Sequence, residues 1–197
     1  MHVNDSIEIR WHGRGGQGAI TAAKIVARAA FESGYPGVVM IPTFGTERRG
    51  APVITSLKIA RQRIYDLSVI EEPDIVVVLD HLLLREVDVT AGLKKGGLLI
   101  INTSLRPDAY PYKGIVVATA DVNSIARQAG LPYGVVNTGV IGALARATNI
   151  VNTDIISRVI EKEFEGRSPD ENVQAALITY ENTQLGGGMW GPGNVDR

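Results

Sequence analysis

The segment IEIRWHGRGGQGAITAAK, residues 7–24, contains the pattern from which the fold class can be predicted. It opens with an alternating stretch typical of a β-strand, Ile7–His12, passes through a glycine-rich loop and enters a helical pattern that runs from Gln17 to Ser33 and stops at Gly34. A glycine loop between a strand and a helix is suited to bind phosphate, because glycines allow close backbone approach and the first helix amides lack partners. The segment therefore predicts an α/β protein with an anion site after its first strand.

The rest of the chain repeats the strand and helix signals. Further strands are predicted at Gly37–Ile41, Val53–Ala60, Ile75–Asp80, Leu98–Asn102 and Ile115–Thr119. Several are nearly continuous Val, Ile and Leu runs, the pattern of strands covered on both faces by helices. Helices are predicted from Asp121 to Ala129, from Asn137 onward, and from Ser168 to about Gln184. This alternation predicts an α/β fold with a mostly parallel, doubly wound sheet flanked by helices.

Two segments depart from simple strand–helix alternation. VITSLKIARQRIYD, residues 53–66, reads as two extended pieces around a polar turn at Arg61 and Gln62, which predicts a hairpin at the sheet edge. The glycine-rich residues 186–197 predict a flexible tail around Trp190. A single domain is therefore expected over residues 1–185, a length that can bury one sizeable core.

Composition excludes several classes of function. The chain has 20 Lys and Arg against 21 Asp and Glu, so neither nucleic acid nor an anionic membrane is expected as its partner. No signal-peptide pattern opens the sequence and its apolar runs are too short to span a bilayer, which predicts a soluble, cytoplasmic protein. The chain has no cysteine, so a redox centre that depends on thiolate ligands must lie on another chain.

The loop residues alone do not identify the ligand that the glycine loop binds. An NAD site would need an acidic residue roughly 20 residues beyond the loop, at the end of the second strand. Pro42 and Thr43 occupy that position, so NAD fits poorly. Arg48 and Arg49 could contact the additional phosphate of NADP, which keeps an NADP-dependent oxidoreductase as one hypothesis. A scaffold chain whose glycine loop serves only packing is another.

Two further groups of polar residues have both a functional and a structural interpretation. Lys24 lies about 9 Å beyond Gly18 along the predicted helix, and helical side chains lean toward the N-terminus, so its ammonium could reach a bound pyrophosphate. A solvated helix face is the alternative. Asn137 and Thr138 open a later helix, where they could form a second polar wall for the ligand or only cap and pack that helix.

Several of these segments carry a family resemblance. They are EIRWHGRGGQGAITAAKIVARAA (8–30), FGTERRGAPV (44–53), PDIVVVLD (73–80), GGLLIINTS (96–104) and NTGVIGALARATNIV (137–151). In this order they resemble the gamma subunit of pyruvate and other 2-oxoacid:ferredoxin oxidoreductases, over about residues 7 to 183. GRGGQG and ERRGAP are the most specific of the shared elements.

The resemblance implies a subunit that is inactive alone, in a complex that converts a 2-oxoacid and coenzyme A (CoA) to acyl-CoA, carbon dioxide and reduced ferredoxin. Thiamine diphosphate, Mg²⁺ and [4Fe–4S] clusters are then held by the alpha, beta and delta subunits. The gamma chain contributes to CoA binding and closes the active site. Pyruvate, 2-oxoglutarate, branched-chain 2-oxoacids and indolepyruvate are all compatible substrates.

By position, the resemblance assigns phosphate handling to the glycine loop and to one lysine, namely Gly13, Gly15, Gly16, Gln17, Gly18 and Lys24. Asn137 and Thr138 match a segment that faces CoA, and Arg48 and Arg49 match a loop turned toward the active site and the neighbouring subunits. CoA carries a pyrophosphate and a 3′-phosphate but no free 2′,3′-diol, so it needs no acidic residue at the second strand. No catalytic residue and no metal ligand is assigned to this chain.

Overall fold

The computed structural model describes residues 6–42 and 49–195, which form a seven-stranded sheet and five α-helices. The strands are β1 (Ile7–Arg14), β2 (Gly37–Pro42), β3 (Pro52–Ala60), β4 (Ile75–Val78), β5 (Leu98–Asn102), β6 (Val116–Ala120) and β7 (Gln184–Gly186). The helices are α1 (Ala19–Glu32), α2 (Val122–Gln128), α3 (Asn137–Thr148), α4 (Thr153–Glu163) and α5 (Pro169–Asn182). The six strands and four helices predicted by residue range are present, the second arm of the predicted hairpin is not, and α4 and β7 were not predicted. Among the described helices, none combines the length and apolar character needed to cross a bilayer.

The sheet confirms the α/β fold but is parallel only in its centre. Its strand order is β2-β3-β1-β4-β5-β6-β7. β1 pairs in parallel with β4, β4 with β5 and β5 with β6, whereas β1–β3, β2–β3 and β6–β7 are antiparallel. The "mostly parallel" prediction therefore holds for the central four strands alone. A run of apolar residues reports burial and does not reveal the direction of the neighbouring strand.

Both faces of the sheet are buried, but the α-helices cover only one of them. Ile9 and Trp11 of β1 belong to a large core with residues of all five α-helices. The opposite face has a smaller core, in which Val76 and Val78 of β4 pack against Leu83 of a short 3-10 helix and against loop residues such as Val89. The sheet is thus not doubly wound by α-helices as predicted. Continuous apolar strands require two covered faces and do not specify what covers them.

The antiparallel sheet edge is formed by β2 and β3, and not by a hairpin around Arg61 and Gln62. Residues 61–72, hereafter the linking segment, connect β3 to β4 and form no strand. The buried Lys58 ammonium of β3 instead contacts Asp66 at 2.7 Å and Glu8 at 3.5 Å. The Asp66 carboxylate pairs with this buried cation on the sheet face, and it therefore holds the segment across that face instead of in a hairpin.

Two of the five α-helices have a side-chain N-cap, whereas α1, α3 and α5 have none, so Asn137 and Thr138 do not cap α3. Asp121 caps α2 as predicted, since its side chain accepts a hydrogen bond from the amide of Ser124 at 3.1 Å. Asn152 caps α4 in the same way through the amide of Ile155 at 2.9 Å. Ser168 precedes α5 but makes no capping hydrogen bond, and the helix begins at Pro169.

The described part of the C-terminal tail contacts the body of the protein. Trp190 is 2% exposed, and its indole Nε1 donates to the carbonyl of Gly96 at 3.1 Å. Its backbone amide donates to the carbonyl of Ala147 at 2.8 Å. Val195 is also buried. Trp190 therefore joins the end of α3 to the turn that precedes β5.

Candidate functional site

The glycine loop lies at the carboxyl end of β1, at the point where the chain changes direction across the sheet. After β1 the chain passes through α1 to β2 and β3 on one side, whereas β4, β5 and β6 extend from the other side of β1. Open α/β sheets bind their ligands in the crevice at such a switch point. The fold thus places the predicted loop where a ligand site is expected.

Hydrogen bonds within the loop hold its backbone in a tight turn. The amide of Gln17 donates to the carbonyl of Arg14 at 2.9 Å, and the Gln17 side-chain oxygen accepts from the amide of Arg14 at 2.8 Å. Gly16 has φ +92° and Gly18 has φ +78°, a conformation that favours glycine at both positions. Gln17 therefore orders the loop, and its side-chain oxygen is already occupied.

The start of α1 presents unpaired backbone donors to a cavity. The amides of Gly16, Gly18, Ala19 and Ile20 make no hydrogen bond with any residue that the structure describes. A cavity of about 360 Å³ adjoins them, within the size range of small-molecule sites. Its described lining comprises Arg14, Gly15, Gly16, Gly18, Ala19, Ile20, Arg49 and Val53. Unpaired amides at the positive end of a helix dipole form an environment that favours an anion.

Arg14 is a structural cation of this site that the sequence analysis did not single out. Its guanidinium contacts Asp80 and Glu86, each at 2.5 Å, and donates to the carbonyl of Gly50 at 3.2 Å. These hydrogen bonds, that of Glu86 first, raise the pKa of Arg14 above its ordinary value. Arg14 therefore links the ends of β1 and β4, and its charge is balanced by two carboxylates.

The pKa values of the two carboxyl groups reflect the same contacts. Partial burial opposes ionisation of Asp80, but hydrogen bonds from Arg14 and from the amide of Leu82 outweigh it and lower the pKa of Asp80. The hydrogen bond from Arg14 lowers the pKa of Glu86. The sequence contains a signal for this ion pair. Arg14 and Asp80 each lie at or just after the carboxyl end of a strand, and in a parallel sheet the carboxyl ends of neighbouring strands lie side by side.

Arg49 lines the cavity beside the glycine loop. Its Cγ lies 3.8 Å from the point where a Cβ on Gly16 would be. The side chain is exposed, and within residues 6–42 and 49–195 it has no ion-pair partner. Arg48, to which the sequence analysis assigned the same role, lies outside the described residues. Arg49 therefore brings to this cavity a positive charge that is not balanced by a carboxylate of the described residues.

Lys24 is not brought to the glycine loop. Its ammonium lies 3.0 Å from both carboxylate oxygens of Glu163 on α4. The lysine side chain is 58% exposed and does not line the cavity. The predicted reach toward a pyrophosphate is replaced by this ion pair, because α4, which the sequence analysis did not predict, supplies a nearer anion.

The structure separates the two polar residues at the start of α3. Asn137 packs against the loop, and its Nδ2 lies 2.9 Å from the position of a Cβ on Gly18. Its Oδ1 is buried and has no hydrogen-bond partner among the described residues. Thr138 is fully buried, and its hydroxyl contacts the Oδ1 of Asn172 at 3.1 Å. Asn137 thus adjoins the loop, whereas Thr138 belongs to the contact between α3 and α5.

His12 precedes the loop and is a buried, uncharged part of the sheet. Its Nε2 accepts a hydrogen bond from the Nε of Arg10 at 3.1 Å. Burial, followed by the charge of Arg10, lowers the pKa of His12 to about 4. The imidazole therefore supports Arg10, whose guanidinium also donates to the carbonyls of Val89 and Ala91.

Acid is expected to destabilise the protein through His12. The unfolded imidazole binds a proton below about pH 6.5, whereas the folded one binds it only near pH 4, so stability falls as the pH falls through this window. Between pH 7.5 and pH 5 this loss is about 2 kcal/mol. Urea unfolding at both pH values measures it, and His12→Gln should reduce the pH-dependent loss by about that amount. An identical loss in the variant would contradict the assignment.

Comparison with known proteins identifies relatives along nearly the whole chain. The pyruvate ferredoxin/flavodoxin oxidoreductase family matches residues 8–182. The chain is 45% identical over 184 residues to the pyruvate/ketoisovalerate oxidoreductases common subunit gamma of Pyrococcus abyssi. This alignment covers 91% of this chain and 98% of that protein. It is 42% identical over 181 residues to pyruvate synthase subunit PorC of Methanothermobacter marburgensis, covering 92% and 99%.

Solved structures have the same fold. The crystal structure of pyruvate oxidoreductase subunit PORC from Thermotoga maritima matches with a TM-score of 0.79 and 36% identity, over 92% of this chain and 98% of that one. The 2-oxoglutarate:ferredoxin oxidoreductase of Magnetococcus marinus, solved with 2-oxoglutarate, coenzyme A and succinyl-CoA bound, matches with a TM-score of 0.70 and 19% identity. That likeness covers 90% of this chain but only 30% of the other, and it concerns the fold alone.

Proposed function

This chain belongs to the pyruvate ferredoxin/flavodoxin oxidoreductase family as a gamma subunit, and we propose that its glycine-loop cavity binds the diphosphate of CoA. In this proposal the chain acts in a cytoplasmic complex with alpha, beta and delta subunits. The complex oxidises a 2-oxoacid to acyl-CoA and passes electrons to ferredoxin. The gamma chain alone has no activity.

One observation carries the proposal. The amides of Gly16, Gly18, Ala19 and Ile20 have no partner among the described residues and adjoin the same cavity as the guanidinium-bearing Arg49. A diphosphate requires several donors that converge on its oxygens together with a positive charge nearby. These four amides offer such donors at one cavity, and Arg49 offers the positive charge.

The chemistry of the complex is divided between its chains. Thiamine diphosphate, Mg²⁺ and [4Fe–4S] clusters would supply decarboxylation and electron transfer from the partner subunits. This chain has no cysteine and so offers no thiolate ligand for a cluster. Its own residues bind and orient CoA and close the active site, which increases the rate by holding the thiol near its target.

Replacing Arg49 by alanine in the assembled complex is expected to raise the KM for CoA by about 10- to 100-fold, the effect of losing a charged hydrogen bond. The KM for the 2-oxoacid should remain unchanged, because this side chain contacts only the nucleotide end of CoA in the proposal. The kcat should also persist, since a contact made equally in the ground and transition states alters KM alone. Steady-state kinetics with each substrate varied in turn measures these values.

Lys24→Ala is the matched control for this experiment, because it removes an exposed cation of α1 that lies outside the cavity and is paired with Glu163. We expect it to leave both KM values unchanged. An unaltered KM for CoA in Arg49→Ala, or an equal rise in both variants, would refute the proposed diphosphate site. Tight binding of NADPH by the chain in calorimetry would favour the NADP hypothesis instead.

A further inference from the structure

The linking segment, residues 61–72, presents an unusual row of exposed apolar side chains. Tyr65 is 85% exposed, Leu67 is 68% exposed and Val69 is 57% exposed. They alternate with Asp66 and Ser68, whose side chains accept hydrogen bonds from the buried Lys58 ammonium at 2.7 Å and 3.3 Å. The segment is therefore extended, with its polar face fixed to the sheet and its apolar face directed toward solvent.

The backbone of this segment is also unpaired. The amide of Ser68 donates to the side chain of Asp66 at 2.9 Å. No other amide from residue 63 to 69 forms a hydrogen bond within the part of the chain that the structure describes. An extended stretch with free backbone groups and a row of apolar side chains has the properties of an edge strand that another chain can cover.

The charges at the two ends of the segment indicate which chain that is. Arg63 lies at one end and Glu71 at the other; both are exposed and neither has an ion pair among residues 6–42 and 49–195. If two copies meet antiparallel with Leu67 opposite Leu67, then residue 65 faces residue 69 and residue 63 faces residue 71. In that register Tyr65 meets Val69 and Arg63 meets Glu71, twice each. The segment is thus complementary to itself.

We infer that two copies of this chain associate through their linking segments, around a two-fold axis at Leu67. Such a contact is isologous, since each residue meets its counterpart in the reverse order and the two ion pairs are equivalent. It goes beyond CoA binding and does not depend on it, because the glycine loop lies at the opposite end of β1. A single segment is narrower than a standard protein interface, so the dimer is weak and concentration-dependent.

Sedimentation velocity of the full-length chain over a concentration series tests this inference. The unmodified chain should show a monomer–dimer equilibrium. Arg63→Glu places two acidic residues opposite each other, and Glu71→Arg places two basic ones, so each variant alone should raise the dimer dissociation constant at least about tenfold. An equimolar mixture of the two variants should restore dimerisation, because each chain then supplies the charges that the other lacks.

Arg106→Glu is the control, since it reverses another exposed arginine far from the linking segment, and it should not alter the equilibrium. Three results would each overturn the inference. They are a monomeric unmodified chain at every concentration, a dimer insensitive to both single variants, and a mixture that stays monomeric. If the chain is monomeric and its Leu67→Asp variant fails to assemble with the other subunits, then the linking segment contacts one of those subunits instead of a second copy.

Discussion

Gly142→Ala is expected to lower the free energy of unfolding by at least about 3 kcal/mol, or to prevent folding. A Cβ at this position of α3 would lie 2.0 Å from the carbonyl oxygen of Ala176 and 3.0 Å from the amide nitrogen of Tyr180, both on the backbone of α5. Neither atom can move away without shifting α5. The clash outweighs the gain of up to about 1 kcal/mol that alanine normally brings to a helix interior.

Urea unfolding followed by circular dichroism measures this loss, and two other glycines calibrate it. In Gly139→Ala the new Cβ would lie 2.2 Å from Cγ1 of Val122. Because this is a side-chain atom that can shift, the loss of stability should be smaller than for Gly142→Ala. A Cβ on Gly193 would have no heavy atom within 4 Å, and the φ of this residue is not positive, so Gly193→Ala should leave the free energy of unfolding unchanged. Equal stability of Gly142→Ala and Gly193→Ala would show that α3 and α5 are not as close as described.

Trp190→Ala is expected to cost about 3 kcal/mol and to release the C-terminal tail. The indole is buried at 2% exposure, and its hydrogen bond to Gly96 is lost with the side chain. Gly96 lies so close to the tail that a Cβ there would be 1.7 Å from the carbonyl of Asn194. Removing the indole therefore removes a buried apolar contact that keeps the tail against this turn.

Thermal unfolding reports the stability change, and limited proteolysis with mass spectrometry reports release of the tail. Met189→Ala is the control, because its neighbouring side chain is 49% exposed and should contribute little. Cleavage at the same rate in the unmodified chain and in Trp190→Ala would mean that the tail is not held by the indole.

The elements that sequence analysis predicted are those whose signal is local. The strands from β1 to β6 are continuous or alternating apolar runs, and Gly34 ends α1 with φ +88°. The residues of α4 are less apolar and its cap, Asn152, was not recognised, so this helix was missed. The antiparallel pairing of β3 and the unpaired linking segment also escaped prediction, because both depend on contacts with residues distant in sequence.

The same distinction between local signals and long-range contacts applies to the candidate site. The glycine loop, with Gly16 and Gly18 at positive φ, follows from residue type and spacing. The partners of the charged residues do not, since Arg14 pairs with Asp80 from β4 and Lys24 with Glu163 from α4. Charge on a side chain is visible in a sequence, but whether that charge is balanced depends on which elements pack together.

The α/β class, the family and the position of a glycine loop between the first strand and the first helix could all be predicted from the residues alone. Those features depend on backbone preferences and apolar periodicity within a few residues of each other. Packing between elements determined the rest. Lys24 has an acidic partner, whereas Arg49 has none among the described residues. Thr138 is buried between helices, and Trp190 holds the tail. Each of these outcomes is a contact between separate elements, and its energy depends on distance and burial that folding alone establishes.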